Sequence, residues 1–310
     1  MSMILHHYPA SPFAEKIRAI LGFKNLNWQG VTIPSVMPKP DLMPLTGGYR
    51  KTPVLQIGAD VYCDTALICD VLEHLAPTPS LYNQAPKGLV RSLAQWADTL
   101  LFPVAMAYNF QPAGAAHVMA SFTPETVQVF AADRQAMRGG GARMHFADAT
   151  AMYKSHLRRI SSMLEGQSFL LGDQPCLADF SVYHSLWFTK VQVPMLAGIL
   201  EATPLVSAWA DRMAAWGHGQ STAISAEQAL QAAKGATPLA VESEFFQDEH
   251  GIALGSQVTV AAESFGTEPT AGELVAATRT RYTLRRHDER VGTVHVHFPR
   301  LGFVMKKAEA

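Results

Sequence analysis

Three short runs in the first 65 residues carry residue types that can hold a small anionic peptide. Met3 to His7 reads as a strand and runs into Ser11-Pro12. A serine at a helix start accepts an orphan backbone N–H, and proline at the first helical position sacrifices no hydrogen bond. The remaining free N–H groups and the helix dipole favour an anion such as a thiolate. Thr52-Pro53 opens a second strand, where proline is tolerated only at an edge or a special turn and a cis peptide is accessible, leaving the Thr52 main chain to pair with an extended peptide. Asp64-Thr65 opens a helix, where backbone N–H groups and a hydroxyl can hold a carboxylate. Taken singly, each is ordinary punctuation: a cap, a strand boundary, another cap.

The elements that must position these runs follow from pattern. After the first strand, Ile17, Ile20 and Leu21 continue a helix, and Trp28 to Ile33 reads as a second strand. The proline-rich stretch from Pro34 to Tyr49 reads as irregular. Thr52 to Ile57 and Val61 to Cys63 flank Gly58-Ala59-Asp60 as a hairpin, and Ile68, Val71, Leu72 and Leu75 recur at helical spacing until Pro77. The order is βαβ, then ββα. From residue 87 the pattern is helical: Leu89, Leu93, Trp96, Leu100 and Val104 mark one expected face with a kink at Pro103, followed by helices through Tyr153 to Leu164 and from Thr203-Pro204. Past Gln220 come a short alanine-rich helix and four β-branched runs within 258–298, read as a small antiparallel sheet or barrel.

Composition excludes several classes. The 310 residues carry 25 basic and 26 acidic side chains, so no global field draws the chain to nucleic acid or an anionic membrane. No apolar run is long enough to span a bilayer, and the N-terminus lacks the basic leader of a secretory signal. Cys63, Cys69 and Cys176 form no CxxC pair and read as reduced thiols, so a soluble, cytoplasmic protein is expected.

The succession His7-Tyr8-Pro9-Ala10-Ser11-Pro12-Phe13, Lys51-Thr52-Pro53-Val54-Leu55 and Asp64-Thr65-Ala66-Leu67-Ile68 resembles the N-terminal domain of cytosolic glutathione transferases. Gly172 to Asp179 looks like that family's capping box before a core helix, with Cys176 in place of the usual Ser or Thr. The resemblance implies an α/β thioredoxin-like domain (residues 1–79), an all-helical bundle (87–219) and, beyond the family, a small β-rich appended domain (220–310). It implies glutathione as co-substrate, with no metal, and a homodimer. Ser11 would donate to the glutathione sulfur and favour its thiolate; Tyr8 is the competing donor, although aligning Arg18 with the family's first-helix arginine puts His7 at the tyrosine's place. Lys51, Thr52, Pro53, Asp64 and Thr65 would line the peptide. The absence of cysteine at position 11 argues against the thiol-transferase branch.

The expected activity is attack of the glutathione thiol on a small apolar electrophile seated between Phe13 and Tyr108. The rival readings are a non-catalytic interaction module, or a glutathione-dependent peroxidase, isomerase or dehalogenase. His295 and His297 share a strand face but lack a third ligand, so no metal site is expected. Eight Arg or Lys against three acids from Val275 to Ala310 follow an acidic stretch, Ser225 to Leu274. Without an RNA-binding motif, a solvated strand face is the expected use of that basic run.

Overall fold

The computed structural model describes residues 2–82, 85–241, 245–247 and 249–308. The N-terminal part runs β1 (Met3–His7), α1 (Pro12–Phe23), β2 (Asn27–Thr32), a single turn α2 (Met43–Thr46), β3 (Val54–Ile57), β4 (Asp60–Cys63) and α3 (Thr65–Leu75). The helical part comprises α4 (Lys87–Trp96), α5 (Phe102–Asn109), α6 (Pro112–Val118), α7 (Pro124–Arg138), α8 (Phe146–Met163), α9 (Leu177–Trp187) and α10 (Pro204–Ala214). It is followed by β5 (Gln220–Ala223), α11 (Ala226–Lys234) and the strands β6 (Gln257–Ala262), β7 (Thr270–Ala277), β8 (Arg281–Asp288), β9 (Gly292–Pro299) and β10 (Phe303–Lys307). The fold is a thioredoxin-like α/β unit and a helical bundle with additional C-terminal strands.

Those strands do not stand apart. One ten-stranded sheet runs β10-β6-β7-β8-β9-β4-β3-β1-β2-β5, so the C-terminal meander extends one edge of the first sheet and β5 extends the other. The meander is an open antiparallel sheet. Its last pairing, β9 with β4, is parallel, with Val61 opposite Val296. A thioredoxin-like sheet must bury both faces. One face, with Leu5 and Leu55, packs on α1, α3 and the bundle. The other carries Ile4, Val31, Val54 and Val61, and since α2 is one turn long, its cover comes from Leu230 of α11 and from Val260, Leu284 and Val296. The buried Gln56 ties the layers together, donating to Ala229 O at 2.8 Å while its Oε1 pairs with His6 Nε2 at 2.8 Å.

The first bundle helix departs from expectation. A π turn at 97–101 separates α4 from α5 immediately before Pro103, whose ring cannot join the regular ladder. The buried stripe is Val90, Ala94, Ala97, Leu101 and Val104, whereas Leu89 and Leu100 are 51% and 59% exposed. The small alanines let α4 approach α9 closely, which decides the face over side-chain bulk. At the start of α9, Asp179 compensates for Cys176: its carboxylate accepts from the Cys176, Leu170 and Trp209 N–H groups, each at 2.9 Å.

The basic and acidic C-terminal runs meet partners within the chain. Arg285 pairs with Glu273 at 2.6 Å, Arg290 with Asp41 at 2.7 Å, and Arg300 with Glu249. Glu242, Glu244 and Asp248 of the acidic run lie outside the described residues. Among the described residues, no helix is long and apolar enough to cross a membrane.

Candidate functional site

The site grows from the turn between β1 and α1. Ser11 is the helix cap: its Oγ accepts from Ala14 N at 3.2 Å, and its own N–H donates to Tyr8 O at 3.1 Å. Arg18, one and a half turns along α1, holds the turn from behind, donating to Pro9 O at 2.9 Å and lying 3.1 Å from His7 Nδ1. Its charge is met by Glu15 at 2.7 Å. The Tyr8 phenol is flanked by Ser11 and Arg134 of α7. Burial pushes its pKa up and outweighs the lowering influence of Arg134 and Ser11, so it stays protonated and able to donate. The two expected donors are therefore neighbours.

The second run lies alongside. The Thr52–Pro53 peptide is cis, and the described residues give the Thr52 main chain no hydrogen-bond partner. The Thr52 hydroxyl accepts from Lys39 at 3.0 Å. Burial, reinforced by the charges of Arg134 and Arg50, pushes the Lys39 ammonium down to about 7. Lys51 stands 5.6 Å over the Phe303 ring; burial lowers its pKa against the opposing pull of Asp64 and Glu268.

The third run opens α3. Asp64 has φ 74° and accepts from Ala66 N at 2.9 Å, leaving the helix N-terminus at the buried Thr65. The Thr65 hydroxyl accepts from Lys16 at 3.3 Å, and Lys16, fully inside α1, pairs with Asp98 at 2.7 Å. Asp98 in turn receives His184 Nε2 at 3.0 Å. Burial works to lower the Lys16 pKa, but Asp98, with Cys69 and Asp64 adding to it, turns the balance upward, so Lys16 is held charged.

Sequence reasoning missed Lys39, Arg50, Asp133, Arg134 and Glu268, which cover this array. Asp133 of α7 pairs with Arg50 and accepts from Met37 N at 3.0 Å, while Arg134 donates to Ser35 O at 2.8 Å. Arg50 also donates to Glu268, on the β6–β7 loop, at 2.8 Å. Two open clefts of about 380 and 430 Å3 lie elsewhere, beside Arg212 and on the outer face of β7 and β8, and neither touches the site. The expected electrophile walls are also occupied: Phe13 packs on Phe102 and His184, each at 4.6 Å, and Tyr108 packs on Tyr153 while donating to Leu196 O at 2.8 Å. Beside the Tyr8 phenol stand Arg134 and Asp133 of the charged α7.

Cys63, Cys69 and Cys176 are free and buried. Burial raises the Cys69 and Cys176 thiols to about 12 and Cys63 well above its usual value. His297 is taken up between Asp60 at 2.9 Å and Thr283 at 3.0 Å, and among the described residues no group of three or more His, Cys, Asp or Glu is arranged around a metal.

Family models describe the same two units: residues 5–80 match the glutathione S-transferase N-terminal domain, and residues 142–212 match its C-terminal domain. A GST-like protein from Pseudomonas syringae is 44% identical, with 99% of each chain covered and a TM-score of 0.83. This chain belongs to the glutathione S-transferase-like family. Two further members share the fold at lower identity: a glutathione S-transferase from Rhodospirillum rubrum (22% identical, 68% of this chain and 87% of that one, TM-score 0.50) and one from Sinorhizobium meliloti (16%, 69% and 88%, TM-score 0.53). No curated protein matches the chain. The glutathione S-transferase-like fold is thus shared over about two thirds of the chain with distant structures and over its full length with the Pseudomonas protein.

Proposed function

We propose that the chain is a glutathione transferase-like enzyme that ionises the glutathione thiol at the start of α1. The observation that carries this reading is the meeting of the Tyr8 and Ser11 hydroxyls at that helix N-terminus. The two hydroxyls donate to the sulfur, the helix dipole and Arg134 favour its negative charge, and the thiol proton passes to solvent. The thiolate then forms a C–S bond to an electrophilic carbon; the bond broken gives its electron pair to the departing group or, where the thiolate adds to a double bond, to a substrate atom that takes a proton from solvent. The Thr52 main chain pairs with the cysteinyl unit beside Pro53, and the Asp64–Thr65 turn holds the γ-glutamyl carboxylate through the Thr65 hydroxyl and the free N–H groups at the start of α3. The charged surroundings of Tyr8 favour a polar electrophile over the apolar one expected from sequence. We place the enzyme in the cytoplasm as a homodimer, in keeping with its unpaired buried thiols and its family.

One observation favours the rival, non-catalytic reading: α7 and the β6–β7 loop lie across the array and bind to one another, Gly266 N donating to Met137 O at 2.7 Å. Calorimetric titration with glutathione separates the two. Saturable binding, weakened in Thr65→Ala, supports the enzyme; no heat supports an interaction module.

A further inference from the structure

The β6–β7 loop enters the site by a built route. Thr270 Oγ1 donates to Thr46 O at 3.0 Å and accepts from Tyr49 N at 3.3 Å. Beside it, Gly48 passes so close to the Pro269 carbonyl that any Cβ there would collide with it. At the other end, Gly266 is held on Met137. These anchors fix Glu268 between them. Its Oε1 receives Arg50, but Oε2, on a side chain that is 41% exposed as a whole, is itself shielded from solvent and has no hydrogen-bond partner among the described residues. The point that a Cβ on Gly266 would occupy lies 3.6 Å from both Glu268 Oε2 and Lys51 Cε. The C-terminal strands therefore bring an unpaired carboxylate oxygen to the residue where the glutathione peptide is expected, and Lys51, whose ammonium stands over the Phe303 ring within the pull of Asp64 and Glu268, lies near that oxygen. Opposite charges, both partly desolvated and adjacent yet not bonded to each other, complement a zwitterion.

We propose that Glu268 is a specificity residue of the thiol site, its Oε2 receiving the α-ammonium of the γ-glutamyl end while Lys51 faces the carboxylate of that same end. This rests on the glutathione reading above, and it gives the appended strands a part in recognition that the two-domain family pattern does not supply. An amine-bearing γ-glutamyl thiol is thereby selected over thiols whose amine is acylated or missing, because those leave the Glu268 oxygen buried without a donor.

The test is calorimetric titration of the full chain, parent and Glu268→Gln, with glutathione and with glutathione acetylated on its γ-glutamyl amine. The parent is expected to bind glutathione at least tenfold more tightly than the acetylated form, as loss of one charged hydrogen bond requires. Glu268→Gln is expected to lose about tenfold for glutathione and to bind the acetylated form like the parent, so that the preference collapses. A preference retained in Glu268→Gln, an equal loss for both ligands, or a parent that does not discriminate overturns the role of Glu268. Failure of the parent to bind either ligand overturns the glutathione reading itself.

Discussion

Arg50 donates through Nη1 to Glu268 at 2.8 Å across 218 residues of sequence, and its Nη2 pairs with Asp133. One guanidinium, 6% exposed, thus joins the first sheet, the helical bundle and the C-terminal strands at the edge of the thiol site. The consequence is that the site and the appended strands are mechanically one object.

Truncation after residue 219 tests that unity. It removes β5, α11 and the meander, uncovering Ile4, Val31, Val54 and Val61, each of which contributes on the order of 1.5–3 kcal/mol by its burial. The shortened chain is expected to show no cooperative urea transition. A sharp transition near that of the parent would mean that the first sheet can do without its second layer.

Asp98→Asn leaves the ammonium of Lys16 buried beside a neutral amide. Breaking a buried pair on one side costs about 3–5 kcal/mol, and the denaturation midpoint is expected to fall accordingly. Replacing both partners, Lys16→Met with Asp98→Leu, is expected to recover much of the loss, since the desolvation penalty then disappears on both sides.

At the seam, the Asp60 carboxylate accepts from His297 Nε2 and from Leu239 N, each at 2.9 Å. Asp60→Ala strands both donors and is expected to cost about 3 kcal/mol, read from equilibrium unfolding of the full chain. A cost under about 0.5 kcal/mol would show that water reaches the seam and satisfies them.

Acid is expected to weaken the fold in a defined window. Burial pushes His6 and His7 down to about 4, with the Arg18 charge adding to the effect on His7, and burial also lowers His184 and His297. Their folded pKa values lie below the unfolded value of about 6.5, so the unfolded chain binds protons first. The stability these imidazoles contribute is complete above about 6.5 and is lost as pH falls below it, for His6 and His7 toward about 4. The urea midpoint should be lower at pH 5 than at pH 7.5; equal midpoints would mean that the imidazoles charge without leaving the fold.

Much of this architecture was written locally. The Ser11 and Asp64 caps and the β3–β4 hairpin depend on neighbours in sequence and lie where spacing puts them, whereas the stripe of α3 turns further toward Leu67 and Cys69: Ile68 and Leu72 are buried as expected, but Leu75 is exposed. Four strands of the meander were legible from their β-branched runs, but β10 (Phe303–Lys307) was not, nor was the parallel attachment to β4, because nothing in Asp60 to Cys63 specifies which strand completes an edge. The cover of the site was illegible for a different reason. In α7 the buried residues are Asp133 and Met137, so the helix shows no apolar stripe to announce that it packs on anything. Glu268 sits in a turn whose purpose exists only once Thr270 has docked on Thr46.

The central claim is that the α1 N-terminus, with Ser11 and Tyr8, lowers the thiol pKa of bound glutathione. Its direct test is a pH titration of thiolate absorbance for glutathione bound to the parent, Ser11→Ala and Tyr8→Phe. The account predicts a bound thiol that ionises below its value in water, moving back up in Ser11→Ala and, by a smaller step, in Tyr8→Phe. A bound thiol that ionises in the parent as it does free in solution would contradict it.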